Sequence, residues 1–226
     1  MSSLKPFALR MPSAPALSHR DRREDLICDA AFANFRPMII NGRKSDTFFR
    51  SATIANSATG RSAYVAQCAE ENGIAALFDL TGSISQFQDM RVFSCDPGNG
   101  GDSRFYHKVF VDCLRKYIER PLIPVLFCCE AGKYRTGFVS ILLEALSGTE
   151  PGLIEQDFLQ SYVNNNGVSR DSDDYCELRH LAFEPIVEQL QASCGALRLS
   201  TCARNYFSLA GLTSREIERL EWLLRA

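Results

Sequence analysis

Cys129 and Arg135 bracket the stretch Cys129-Glu130-Ala131-Gly132-Lys133-Tyr134-Arg135-Thr136-Gly137, and most of its residue types have a use in phosphate chemistry. A loop that leads into a helix N-terminus gathers unpaired backbone N–H groups, and the helix dipole adds positive potential. That field suits a tetrahedral phosphate dianion, and it favours a thiolate over a thiol, so Cys129 is expected to act as a nucleophile near neutral pH. Arg135 offers a planar fork that grips two phosphate oxygens. Gly132 permits loop dihedrals and a close backbone approach that a side chain would hinder. Thr136 can donate its hydroxyl to the sulfur when the sulfur must leave. Lys133 is expected to add positive potential at the mouth of the cleft, and Glu130 to sit as a solvated carboxylate at its edge. The substrate loop is thus expected to run through Glu130, Ala131, Gly132, Lys133, Tyr134 and Arg135.

Spacing alone is weak support. With nine cysteines and twenty arginines in 226 residues, about one cysteine and arginine pair at this separation arises by chance. Requiring Gly132, Thr136 and Gly137 at their own places lowers that to below about one in a hundred.

Such a loop needs a strand before it and a helix after it, and the flanking sequence supplies both. Val125-Leu126-Phe127-Cys128 is an apolar run of strand length, and 137–146 is helical in composition, ended by Gly148. Upstream, 61–72 has helical spacing, 74–80 and 91–95 read as strands, and 103–120 reads as a helix stopped by Pro121 and Pro124. Downstream, helices are expected over 152–163, 172–192 and 213–225. Strand and helix alternate early and helices follow, which predicts an α/β fold with a central, mostly parallel sheet flanked by helices and a helical C-terminal part.

Composition narrows the function class. The formal net charge of −2 gives no electrostatic case for binding nucleic acid, and no apolar run is long enough to span a membrane. The cysteine count is odd and no Cys-x-x-Cys spacing occurs, so neither a zinc site nor a disulfide framework is expected. The thiols read as small buried apolar side chains in a reducing, cytoplasmic setting, with no metal and no cofactor. Residues 1–24, with three prolines and the cluster Arg20, Arg22, Arg23, read as a flexible tail; scarce acids before Asp21 would also suit a targeting segment. One catalytic domain is expected over 25–226.

At these residues a resemblance enters. The loop resembles the protein tyrosine phosphatase signature His-Cys-x-x-Gly-Lys-x-Arg-Thr-Gly, and most closely the bacterial tyrosine phosphatases that carry Asp before the arginine. Asn34-Phe35-Arg36, Phe49-Arg50-Ser51-Ala52 and Ala203-Arg204-Asn205-Tyr206-Phe207 through Leu223 are similar to other parts of that bacterial family. The resemblance implies the phosphatase II-like fold and phosphomonoester hydrolysis through a cysteinyl-phosphate. Two positions depart from it: Cys128 stands where the family has His, and Tyr134 where the nearest relatives have Asp.

The chemistry also needs a proton donor for the leaving oxygen. Asp96 is the first choice, at an offset before Cys129 similar to that of the acid in the superfamily's dual-specificity branch; Asp102 is second and Asp79 third. A redox link between Cys128 and Cys129 is weighed against the strain of bridging neighbours, and a buried spacer role for Cys128 is preferred. The expected substrate is phosphotyrosine in proteins, because Glu130 offsets Lys133 where lipid phosphatases are richer in lysine. The alternatives are a phosphoinositide or inositol-phosphate phosphatase, and a catalytically weak phosphate-binding pseudophosphatase. A rhodanese-type sulfur transferase fits the glycine and threonine pattern poorly.

Overall fold

The structure is a computed structural model that describes residues 17–55, 57–95 and 103–226. Five strands form one sheet: β1 (Arg36–Ile40), β2 (Arg43–Ser51), β3 (Ala76–Asp79), β4 (Arg91–Ser94) and β5 (Val125–Cys128). Their order is β1-β2-β5-β3-β4, and all neighbours are parallel except β1 with β2. The chain therefore adopts the expected α/β architecture, with β5 in the middle. Every residue of β3 and β5 is buried, which is why both read as unbroken apolar runs.

The helices are α1 (Asp29–Phe32), α2 (Arg61–Glu71), α3 (Ser103–Glu119), α4 (Tyr134–Ser147), α5 (Pro151–Asn166), α6 (Asp173–Leu178), α7 (Glu184–Cys194), α8 (Leu199–Leu209) and α9 (Ser214–Arg225). Residues Thr136 through Ser147 of α4 are all buried, so this helix is enclosed on every side and forms the centre of one core. Gly148, at φ 91°, ends it in the left-handed region.

Side-chain alternation along β5 divides the interior. Val125, Phe127 and Cys129 join the core of α3 and α4, whereas Leu126 and Cys128 join the core beneath α2. The Phe78 ring stacks between Phe93 and Phe127, with centroids 4.7 and 4.6 Å away, a cross-strand ladder through β4, β3 and β5.

Several features differ from the sequence reading, among them α8 (Leu199–Leu209), which falls between the helices expected over 172–192 and 213–225. The β1–β2 hairpin was not anticipated; it turns at Asn41 and Gly42, with φ of 51° and 76°, the two-residue turn that suits strand twist. The single helix expected over 172–192 is interrupted by a π-helical turn at Arg179–Phe183. Pro185, at the start of α7, has no N–H and crowds the preceding turn, so regular bonding cannot continue through it. Finally, residues 17–24, assigned above to the tail, are tied to the domain. The Arg20 N–H donates to Asn165 O at 2.8 Å, Asn166 Nδ2 donates to Ser18 O at 3.2 Å, and Arg61 donates to Arg20 O. Among the described residues no helix is long and apolar enough to cross a membrane.

Candidate active site

The loop 129–133 leaves the C-terminal end of β5 and runs into α4, on the edge of the sheet where parallel strands ordinarily present ligand sites. Glycine is required twice. Gly132 sits at φ 63°, and a Cβ there would stand 2.3 Å from the Ser51 carbonyl oxygen at the end of β2. At Gly137 a Cβ would stand 2.7 Å from Cε2 of Phe158, so α5 approaches α4 only because this position is bare.

Hydrogen bonding sorts the loop's polar groups by sign. Cys128 O accepts from Leu80 N at 2.9 Å, Cys129 O from Gly132 N at 3.1 Å, Glu130 O from Thr53 N at 3.2 Å and Lys133 O from Gly137 N at 2.9 Å. Ala131 O accepts from Asn34 Nδ2 at 3.0 Å and Asn165 Nδ2 at 3.1 Å. Gly132 O accepts from Arg50 Nη2 at 3.0 Å, Asn34 Nδ2 at 3.2 Å and Ser161 Oγ at 3.3 Å. In contrast, the N–H groups of Glu130, Ala131, Lys133, Tyr134, Arg135 and Thr136 have no acceptor among the described residues. For Tyr134, Arg135 and Thr136 this follows from their place in the first turn of α4, where N–H groups have no intrahelical acceptor. The acceptors are thus bound to protein while a run of donors is free for an anion.

The side chains follow. Cys129 is buried, 5% exposed. Arg135 is exposed, and its Nη1 donates to Leu80 O at 3.3 Å, just beyond β3. Thr136 is fully buried and its Oγ1 has no partner among the described residues. Glu130 is exposed as expected. Lys133 is not at the cleft mouth. It is 6% exposed, its Nζ lies 3.2 Å from Asn166 Oδ1, and it stands 5.0 and 4.7 Å from the ring centroids of Tyr134 and Tyr162. Its long stem lets the ammonium reach these aromatic faces. Burial lowers its pKa to about 8, opposed by its electrostatic attraction to Cys129.

Cys128 points into the α2 core, away from the side that holds Cys129. Burial, then the charges of Asp79 and Cys129, push its thiol well up. All nine cysteines are free thiols, seven of them buried.

Of the acids, Asp96 and Asp102 lie outside the described residues. Asp79 is fully buried and engaged: its carboxylate accepts from Thr81 N at 2.9 Å, Thr81 Oγ1 at 2.6 Å and Ile84 N at 2.7 Å. It clasps the turn that carries the Leu80 carbonyl and is not placed as a proton donor.

The sequence reading noted Asn34, Arg36 and Arg50 only as part of a resemblance, and missed Asp157, Ser161, Asn165 and Asn166. Arg50, fully buried on β2, pairs with Asp157 Oδ2, while Arg36 Nε lies 2.7 Å from Asp157 Oδ1. Burial alone would raise the Asp157 pKa, but Arg36 and Arg50 overcome it and hold the carboxyl at about 2. Burial and the Arg50 charge lower Arg36 to about 10 against the pull of Asp157. Glu144 on α4, also fully buried, is pushed well up by burial and then by the Asp157 charge, which favours its neutral form. The available signal was a charged residue inside an apolar strand, Phe49-Arg50-Ser51, and three asparagines ending a helix, Asn164 to Asn166. A groove of about 390 Å³ lined by Phe35, Ile39, Leu153 and Arg170 lies beside this cluster and includes none of the residues 129–136.

The profile of the tyrosine phosphatase family matches residues 100–225, which takes in the loop, α4 and the helical C-terminal part. No curated protein matches the chain.

Proposed function

The chain belongs to the tyrosine phosphatase family, and from that membership we propose that it hydrolyses phosphotyrosine in proteins through a cysteinyl-phosphate on Cys129. The observation that carries this reading is the polarity of the loop, whose carbonyls are all bound while the N–H groups of Glu130, Ala131, Lys133, Tyr134, Arg135 and Thr136 have no acceptor among the described residues. Preorganised donors of this kind stabilise the charge on a transferring phosphoryl group without reorganisation.

In the first step the Cys129 thiolate attacks phosphorus, the S–P bond forms and the bond to the tyrosyl oxygen breaks. Asp96 gives its proton to that leaving oxygen. Arg135 and the loop N–H groups hold the three equatorial oxygens throughout. In the second step water attacks phosphorus, its proton passes to the Asp96 carboxylate, and the sulfur leaves as thiolate with the Thr136 hydroxyl donating to it.

Phosphoprotein is favoured over a polyphosphorylated lipid headgroup because the loop's one lysine is turned inward to Asn166, Tyr134 and Tyr162, and an exposed carboxylate, Glu130, stands at the rim. Extra phosphates would need extra exposed cations there. The test is turnover of an aryl phosphate, inhibition by vanadate and loss of turnover in Cys129→Ser, followed by a panel of phosphotyrosine peptides and soluble phosphoinositides. Turnover that survives Cys129→Ser would overturn the mechanism. Phosphopeptide binding by wild type and Cys129→Ser alike, with no turnover by either, would make the domain a binding module.

A further inference from the structure

Gly132 is the point at which the loop could fail. Its φ of 63° lies in the left-handed region that glycine adopts at least cost. A glycine peptide plane can turn over at little steric cost. In a trans peptide the carbonyl of one residue and the N–H of the next point in opposite directions. When Gly132 O faces away from the concavity, Lys133 N–H faces into it. A reversed plane would instead aim a carbonyl at the phosphate and remove a donor.

We propose that Arg50, with Asp157 and Asn34, is a positioning residue for phosphate binding: it holds the Gly132 carbonyl outward and so keeps the following N–H groups aimed at the phosphoryl oxygens. This rests on the reading above and adds to it the device that sets the loop. Arg50 is fully buried and forks, with Nη1 on Asp157 and Nη2 on both Gly132 O (3.0 Å) and Ser161 Oγ (3.2 Å). Asp157 fixes the direction of that fork, because its other oxygen is bound by Arg36. Arg36 in turn donates to Asn34 Oδ1 at 2.6 Å, and Asn164 Nδ2 donates to the same oxygen at 3.0 Å. These two bonds fix the amide of Asn34 so that its Nδ2 faces Ala131 O and Gly132 O. Six side chains, Asn34, Arg36, Arg50, Asp157, Ser161 and Asn164, thus converge on one peptide carbonyl or on the groups that hold it.

The cluster also has an electrostatic consequence. The buried Arg50 and the partly buried Arg36 share the Asp157 carboxylate, and burial pushes the neighbouring Glu144 carboxyl toward its neutral form, which tips the balance of the cluster toward positive charge directly behind the loop. In a poorly solvated setting that charge favours an anion on the other side of the Gly132 peptide.

The test is Arg50→Lys, which keeps the charge but cannot reach Asp157 and Gly132 O together. Wild type and variant are compared by calorimetric titration with orthophosphate and vanadate, by the rate of Cys129 alkylation at pH 6, and by kcat and KM for an aryl phosphate. Expected are weaker oxyanion binding, slower alkylation and a kcat lower by on the order of 100-fold, as when one preorganised donor is lost, with KM changed much less. Ser161→Ala removes a single, weaker donor to the same carbonyl; it reports in the same direction, by roughly 3- to 10-fold, if Arg50→Lys does not fold. A variant that melts lower but binds oxyanions, alkylates and turns over like wild type would overturn the proposal, because a structural role predicts that pattern. Oxyanion binding and alkylation need no turnover. An inactive wild type that still shows these differences would refute the catalytic reading and leave the clamp standing.

Discussion

Replacing Gly132 by alanine separates the two demands this loop makes on its glycine. The first is conformational: at φ 63° an alanine costs about 1 kcal/mol. The second is steric. The added Cβ would lie 2.3 Å from Ser51 O, 2.4 Å from Ser51 C and 2.6 Å from Ala52 N, at least about 1 Å inside ordinary contact. All three are backbone atoms at the end of β2, where Ser51 is in register with Cys128 on β5, so none can swing aside as a side-chain tip would. Overpacking of this kind costs roughly 1–3 kcal/mol. Together the terms predict a loss of about 2–4 kcal/mol and, for a chain of this length, a Tm lower by about 4–16 °C. The loop can relieve the clash by moving away from β2, which displaces Gly132 O from Arg50; a misplacement near 1 Å costs on the order of 100-fold in turnover. Gly148→Ala is the control. Gly148 has φ 91° but nothing within 4 Å of an added Cβ, so it incurs only the dihedral cost and leaves turnover unchanged. Thermal melts and aryl phosphatase kinetics on both variants provide the comparison. If Gly132→Ala melts and turns over like Gly148→Ala, the close approach of loop and strand is not what demands a glycine, and the reasoning fails.

Two further outcomes follow from single residues. Glu144 has a folded pKa raised above its unfolded value by burial and Asp157, so the native state holds an extra proton and stability falls as pH rises above the ordinary carboxylate range. Glu144→Gln keeps an acceptor for Ile39 N, bound to Glu144 Oε1 at 3.2 Å, and carries no ionisable group. Urea melts should show it more stable than wild type at pH 8 and close to it at pH 4.5; equal pH dependence for the two would show that Glu144 is not protonated in the fold. Thr136→Val replaces a buried hydroxyl that has no partner among the described residues by a group of the same shape. Stability should hold or rise slightly, while release of phosphate slows roughly 10- to 100-fold, so that rapid-mixing traces show a burst of product followed by a slow steady state. A slower first turnover without a burst would remove Thr136 from the second step.

Much of this protein was legible locally. Cys129, Gly132, Arg135 and Thr136 could be picked out because phosphate chemistry prescribes residue types over a span of eight positions, and the strand and helix around them are written in adjacent apolar runs. The sheet's parallel centre followed from the same runs. The hairpin was missed although Asn41-Gly42 signals it, because Pro37 and Arg36 obscure the alternation in β1. The break in the helix over 172–192 depended on one proline, whose effect on the preceding turn was given too little weight.

What the amino-acid sequence by itself determined is the pattern of Cys129, Gly132, Arg135 and Thr136 and the elements on either side of it, since both are set by neighbours in the chain. Only the tertiary structure decided which way the loop's peptides face and where its lysine goes. Asn34, Arg50, Asp157 and Ser161 lie 82–98 or 25–29 positions from Gly132, and no local pattern marks a distant guanidinium as the partner of one particular carbonyl. Lys133 is drawn to Tyr134, Tyr162 and Asn166 because α5 folds back against the loop, and that contact exists only once the helices have packed.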